Sequence, residues 1–232
     1  MRPDTLVIVP AYNEAMTVGA VIAELAPHAA AFDVLVVDDG SSDGTAEIAR
    51  AAHARVARLA VNMGNGVAVE TGLRYALRHG YRFAAQFDAD GQHVVDGLLR
   101  ILAVARATGV DCVVGSRFVG DRSFRPGFMR LLGIRIFSRV LAGAGVSVRD
   151  TTSGLRVFSE RAMRALIDSY PDHFPDADVL LHLALARCQI REVPVTMRAR
   201  LGGRTKTGVA RSIYYPFRVS LGMLVVLLRS RG

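Results

Sequence analysis

Short apolar runs alternate with amphipathic stretches through the first half of this 232-residue chain. Residues 6–10 are continuously apolar, and a helical spacing of apolar positions follows from Val18 to Leu25, so the pattern predicts a strand, a loop and a helix. The unit recurs. Residues 34–37 form a second apolar run that ends in Asp38, Asp39, Gly40, Ser41, Ser42, Asp43, Gly44 and Thr45, and a helix carrying Ile48 and Ala51 follows, with Ser42 or Asp43 expected as its cap. A third strand over 55–59 leads through Asn62, Gly64 and Gly66 into a helix running to Leu77, and a fourth over 83–87 ends in Asp88, Ala89 and Asp90. Continuous apolar strands interleaved with helices predict an α/β fold with a mainly parallel sheet covered on both faces. Ligands of such sheets lie beyond the carboxyl ends of the strands. Glu14, Asp38, Asp39, Asp88 and Asp90 all fall there, so one acidic rim is expected.

The second half is less regular. Residues 112–117 read as a fifth strand, and 122–148 mix Gly, Arg and large apolar residues in the manner of a loop and an amphipathic helix with an arginine face. A helix over 161–168, an acidic loop over 172–178 and a further helix ending near Arg187 follow. Residues 192–197 are expected to form an edge strand, because Pro194 cannot donate to a ladder. The tail over 213–228 is apolar with Arg218 inside it, shorter than the roughly 20 residues that span a bilayer. It predicts an interfacial helix, which divides the chain into a folded domain over 1–210 and a tail over 211–232.

Composition narrows the classes. With 51% hydrophobic and 22% charged residues the chain can bury a large core and is not disordered. Cys112 and Cys188 stand apart in apolar surroundings, which excludes a disulfide framework and zinc chemistry and predicts buried thiols. A net charge of +8 suits phosphate-rich partners, and all but one of the basic residues are arginine, Lys206 being the exception. The absence of Trp and an aromatic content of 7% argue against nucleic acid as that partner. No Gly-x-Gly-x-x-Gly follows the first strand, which argues against a dinucleotide site, and no signal peptide opens the chain.

Asp88 and Asp90, one residue apart at the end of a strand, offer hard oxygens suited to a divalent cation that bridges protein to diphosphate, and Gln92 adds a neutral oxygen. Here the sequence resembles a known family. Val7-Ile-Val-Pro-Ala-Tyr-Asn-Glu14, Val36-Val-Asp-Asp-Gly-Ser-Ser-Asp-Gly-Thr45, Asp88-Ala-Asp-Gly-Gln-His93, Gly115-Ser-Arg-Phe118, Asp150-Thr-Thr-Ser-Gly-Leu-Arg156 and Glu192-Val-Pro-Val195 resemble the family 2 glycosyltransferases of GT-A fold, within them the polyprenyl-phosphate branch that includes the dolichol-phosphate mannose synthases. The resemblance implies a metal-dependent, inverting enzyme that moves a sugar from a UDP- or GDP-sugar to a polyprenyl phosphate. It further implies that Pro10, Tyr12 and Glu14 hold the nucleotide, that Asp38 reads the base edge, and that Asp39 lies by the ribose or diphosphate. Asp88, Asp90 and Gln92 would bind Mg²⁺ or Mn²⁺. Arg117 would be the inner donor to the leaving group and Arg130 would meet the acceptor phosphate, so that Asp90, Arg117 and Arg130 carry catalysis. Arg200 and Lys206 would close over the donor diphosphate. His93 is expected to pack beside the metal site.

Two departures stand out: Asn65 occupies a position where relatives often carry Lys, and no hydroxyl stands four residues after Arg130. The chain also ends without the transmembrane helices that many members append, so attachment at the cytoplasmic face is expected to be peripheral. Arginine-rich patches, at about 1 kcal/mol per charge near an anionic leaflet, together with Phe217, Leu221 and Leu224, would supply it, while Arg122, Arg125, Arg135 and Arg139 are expected to face the membrane or to be plain surface. A small integral-membrane partner would serve equally, and a homo-oligomer is compatible. Two other readings stay open: a soluble transferase that glycosylates a hydroxyl, with Asp176 or Asp178 as base, and a non-catalytic basic protein that binds membranes or nucleic acid.

Overall fold

No position from Thr5 to Ala11 is exposed, so this run needs cover on both faces and becomes an interior strand. The computed structural model describes residues 2–118, 137–139, 141–143, 145–167 and 177–198. Within them β1 (Thr5–Ala11), β2 (Asp33–Asp38), β3 (Arg55–Arg58), β4 (Phe83–Gln86), β5 (Cys112–Ser116), β6 (Arg156–Ser159) and β7 (Ile190–Pro194) form one sheet in the order β3-β2-β1-β4-β6-β5-β7. The pairs among β3, β2, β1 and β4 are parallel, as is β5 with β7, whereas β6 runs antiparallel to both β4 and β5. Every strand but β6 therefore ends on the same rim.

The two faces of β1 sort its side chains by period two. Leu6 and Ile8, with Leu35 and Val37 of β2, join one buried cluster with α3 (Asn65–Arg78), α5 (Glu160–Leu166) and α6 (Ala177–Leu185). Val7, Val9 and Val36 join the other, with α1 (Val18–Leu25), α2 (Thr45–Ala51) and α4 (Val95–Thr108). The mainly parallel, doubly covered sheet expected from the sequence is what forms.

Four details differ from the sequence expectation. Residues 156–159 form β6, a strand that the apolar pattern did not single out, because four residues beginning with a buried Arg156 do not read as an apolar run. The edge strand lies at Ile190–Pro194 rather than 192–197, with Pro194 as its last residue and therefore harmless to the ladder. Neither Ser42 nor Asp43 caps α2; Gly44 stands at that position with φ 83°, which glycine adopts without strain, while Asp43 sits one residue earlier and accepts from the Thr45 N–H at 3.1 Å. The fourth is α4, a helix over Val95–Thr108 that the pattern reading did not single out, whereas α1, α3, α5 and α6 start or stop within a few residues of their expected ends. The arginine-rich segment over 122–136 and the tail over 211–232, with Phe217, Leu221 and Leu224, lie outside the described residues. Arg139 is described and exposed. Among the described residues no helix is long and apolar enough to cross a membrane.

Both cysteines are buried, and burial pushes the Cys112 thiol up to about 12 despite the nearby Arg156 charge, which removes it from redox or nucleophilic chemistry at neutral pH.

The α3 helix reaches β1 only because Gly72 has no side chain: a Cβ there would stand 2.4 Å from Ile8 Cγ2. Gly72→Ala is expected to lose about 1–3 kcal/mol of unfolding free energy in urea despite alanine's better helix propensity. In an Ile8→Ala background the same change is expected to cost measurably less, since the clashing atoms are gone.

Candidate active site

The acidic side chains arrive at the rim because β1, β2 and β4 are neighbours and end there. The loop after β1 is laced to the loop after β2. Asn13, in the left-handed region at φ 53°, donates its N–H to Ser41 Oγ at 2.9 Å and accepts the Ser42 N–H on Oδ1 at 3.0 Å. The Glu14 N–H donates to Thr45 Oγ1 at 2.9 Å, and the Ala15 N–H donates to Asp43 Oδ2 at 3.1 Å. Glu14 itself is buried, with Oε2 accepting from Thr17 Oγ1 at 3.1 Å, while Tyr12 is half-buried beside a buried Pro10.

Asp38 and Asp39 turn inward rather than toward solvent, at 0% and 3% exposure. Asp38 Oδ1 accepts the Ser41 N–H at 3.1 Å, and Oδ2 lies 3.2 Å from Arg58 Nε without hydrogen-bond geometry. Asp39 accepts three donors: the Met63 N–H at 2.7 Å, the Gly64 N–H at 2.9 Å and Asn62 Nδ2 at 3.0 Å. Its carboxylate thus organises the loop that opens α3. The expected acidic rim is real in placement, but the charges left half-buried at its centre are those of Asp88 and Asp90.

Asp88 and Asp90 stand on a turn closed by the Gln92 N–H donating to Asp90 Oδ1 at 3.0 Å, and Gln92 is half-buried beside them. Asp88 Oδ2 accepts from His93 Nε2 at 3.0 Å and Oδ1 from Gln86 Nε2 at 3.3 Å. Burial pushes the Asp88 carboxyl up, but the hydrogen bond and electrostatic pull of His93, the Gln86 hydrogen bond and the Arg156 charge outweigh it and hold the group below its ordinary value. The chain beyond β7 clamps this turn from outside. His93 and Met197 form an antiparallel bridge, the Arg198 N–H donates to Gln92 O at 3.0 Å, and the Arg198 guanidinium holds Gly91 O at 2.6 Å and pairs with Glu24.

Arg117, just past β5, is buried and forks onto Asp150 at 2.7 and 2.6 Å, with Nη2 also donating to Thr152 Oγ1 at 2.8 Å. Asp150 is wholly buried; its own N–H donates to Glu192 Oε1 of β7 at 2.7 Å. Arg117, Asp150, Thr152 and Glu192 therefore form one polar chain that ties the 150–155 segment to β5 and β7.

Asp88, Asp90, Gln92, Pro10, Tyr12, Glu14, Asp38, Asp39 and Arg117 all lie at the carboxyl rim, while Arg130, Arg200, Lys206 and Asp176 lie outside the described residues. Asp178 falls in the first turn of α6 and is buried. His93 packs beside the acidic pair as expected, its ring tilted on Phe87. Gln86, Asp150 and Glu192 were missed as site-building groups; a Gln in the otherwise apolar run 83–87 was the available signal for the first. A divalent cation fits the donor set, two half-buried carboxylates and an amide oxygen. Among the described residues no three His, Cys, Asp or Glu side chains converge to hold a metal unaided.

A family model described as glycosyl transferase family 2 matches residues 6–167. The chain is 31% identical over 243 residues to the polyprenol monophosphomannose synthase of Mycolicibacterium smegmatis, spanning 98% of this chain and 90% of that protein. It is 32% identical over 214 residues to the undecaprenyl-phosphate mannosyltransferase of Micrococcus luteus, spanning 87% and 86%. Among solved structures, glucosyl-3-phosphoglycerate synthase of Mycobacterium tuberculosis with Mn²⁺, UDP and glucosyl-3-phosphoglycerate superposes with a TM-score of 0.76 at 21% identity, over 97% of this chain and 79% of that one. That likeness is one of fold.

Asp150→Asn strips the buried Arg117 of its counter-charge and is expected to cost about 3–5 kcal/mol in urea unfolding, with Arg117→Lys unable to restore the fork. The Asp43 carboxyl is pushed up by burial but held below its ordinary value by the Thr45 hydroxyl and by the N–H groups of Ala15 and Thr45. Folding therefore favours its ionised form, a contribution present above the ordinary carboxyl value of about 4 and lost as pH falls through the folded value. Unfolding midpoints followed from pH 7 down to 3 are expected to drop below about pH 4, less steeply in Asp43→Asn.

Proposed function

The chain belongs to glycosyl transferase family 2 and is a glycosyltransferase of GT-A fold, and from that premise we propose that it transfers a sugar from a nucleoside-diphosphate sugar to a polyprenyl phosphate. The observation that carries the reaction type is the half-buried Asp88 and Asp90 pair at the carboxyl rim. The acceptor class rests on the near full-length likeness to relatives named for polyprenyl and undecaprenyl phosphates.

In this reading Asp88, Asp90 and Gln92 would hold Mg²⁺ or Mn²⁺ beside the diphosphate of the donor. The bound cation would neutralise charge that develops on the leaving diphosphate. Pro10, Tyr12, Glu14 and Asp38 receive the nucleoside, and Asp39 acts there by shaping the 62–64 loop. Arg117 enters with its charge balanced by Asp150, so Arg130, Arg200 and Lys206 are assigned the larger share of acceptor and donor phosphate binding. An oxygen of the acceptor phosphate attacks the anomeric carbon as the bond from that carbon to the diphosphate oxygen breaks, which inverts the centre. That nucleophile is ionised at neutral pH, so the step needs no general base. The lipid acceptor places the reaction at a membrane surface, to which a chain of net charge +8 is drawn when the leaflet is anionic.

The test is a transfer assay with labelled UDP- and GDP-sugars, a short polyprenyl phosphate and Mg²⁺ or Mn²⁺, scoring label that moves into organic solvent. Metal-dependent lipid product is expected from the native chain, falling at least about 100-fold in Asp90→Asn. Donor binding without any labelled lipid would move the acceptor to a hydroxyl compound.

A further inference from the structure

Asp88 is held from three sides. His93 Nε2 donates to Oδ2 at 3.0 Å and Gln86 Nε2 donates to Oδ1 at 3.3 Å. The third side is Gly154, where a Cβ would stand 2.4 Å from Oδ2 and 3.0 Å from both Cγ and Oδ1. Sheet register explains the approach: Gln86 of β4 pairs with Arg156 of β6, so Asp88 comes level with Gly154 two residues further along the antiparallel pair. The Gly154 backbone is outside the left-handed region, so only the carboxylate, not the chain conformation, excludes a side chain there.

His93 is 1% exposed, and its Nδ1 has no hydrogen-bond partner among the described residues. An orphaned buried nitrogen is a standing cost. The ring spends its one polar contact on Asp88, and its own position is fixed by Phe87 and by the bridge to Met197. Donors to a metal-binding carboxylate from behind set its orientation and its charge density.

We propose that His93 and Gly154 are positioning residues that fix the Asp88 carboxylate against Asp90, so that the pair forms a seat of set span for the cation and the donor diphosphate before either binds. The inference rests on the glycosyl-transfer reading of this rim. In it Gly154 supplies space, His93 supplies the holding hydrogen bond, and Gln86 steadies the second oxygen.

The experiment measures Mn²⁺ binding to the full chain in the presence of UDP or GDP by electron paramagnetic resonance of the free ion, alongside transfer kinetics and thermal unfolding. His93→Met removes the donor while filling the space, His93→Gln returns an amide donor at similar reach, and Gly154→Ala pushes on the carboxylate from the half-buried rim. His93→Met and Gly154→Ala are each expected to weaken Mn²⁺ binding by about 10–100-fold, with His93→Gln recovering to within about fivefold of the native chain. Neither change is expected to weaken binding further in an Asp88→Asn background, since both act through that carboxylate. Gly143→Ala, where a Cβ meets nothing within 4 Å, is expected to bind as the native chain does. Native Mn²⁺ affinity in both His93→Met and Gly154→Ala, or undiminished effects in the Asp88→Asn background, would overturn the proposal while the transfer reading stands. Should His93→Met fail to fold, Gly154→Ala decides alone. A native chain that binds neither nucleotide with Mn²⁺ would instead overturn the transfer reading and the proposal with it.

Discussion

Carboxylates taken out of water cost several kcal/mol each unless donors replace the water. The rim of this sheet is organised around that constraint. Asp39 is answered by two backbone N–H groups and an asparagine, Asp150 by an arginine fork, and Asp38 by a backbone N–H with Arg58 beside it. Each of these settlements also fixes a loop: Asp39 the turn into α3, Asp150 the segment before β6, Asp43 and Ser41 the turn after β1. The groups that build the rim are thus the groups that hold its loops in place, and the charge that remains half-buried is concentrated on Asp88 and Asp90.

The antiparallel strand β6 makes that concentration possible. Between β4 and β5 a parallel strand would have brought its own carboxyl end to the rim and a crossover helix to the far side. Because β6 runs the other way, it is the segment leading into the strand, residues 150–155, that lies at the rim, with Gly154 level with Asp88 and Asp150 beside Arg117. The same reversal brings the buried Arg156, the first residue of β6, near the rim, where its charge accounts for part of the low proton affinity of Asp88.

Most elements of the first half, α4 excepted, were legible because β1 is an unbroken apolar run and β2 and β4 are nearly so, and such runs announce burial on both faces without help from neighbours. The placement of Asp88, Asp90 and Gln92 at the rim was legible for the same reason: they follow closely on a clear strand. What stayed hidden depends on pairing between distant segments. Nothing local in residues 156–159 says that they insert between β4 and β5, and a four-residue strand is too short for periodicity to show. The need for glycine at 154 follows only from the β4–β6 register, and the inward turn of Asp39 only from the loop over 62–64 that folds back on it. Glu192 likewise reads as an ordinary strand glutamate until its contact with the backbone of 149 and 150 is known.

The state of these carboxyls also bears on the choice of acceptor. A hydroxyl nucleophile needs a base whose proton affinity is raised toward neutrality, and burial without donors is the usual means. At this rim Asp88 and Asp43 are both displaced downward, because donors crowd them in spite of burial. Asp178, the one described candidate for the base, is buried in the first turn of α6. Carboxyls held ionised, as these two are, suit the company of a cation and a diphosphate better than the collection of a proton. An acceptor that arrives already ionised, as a lipid phosphate does, asks nothing more of them.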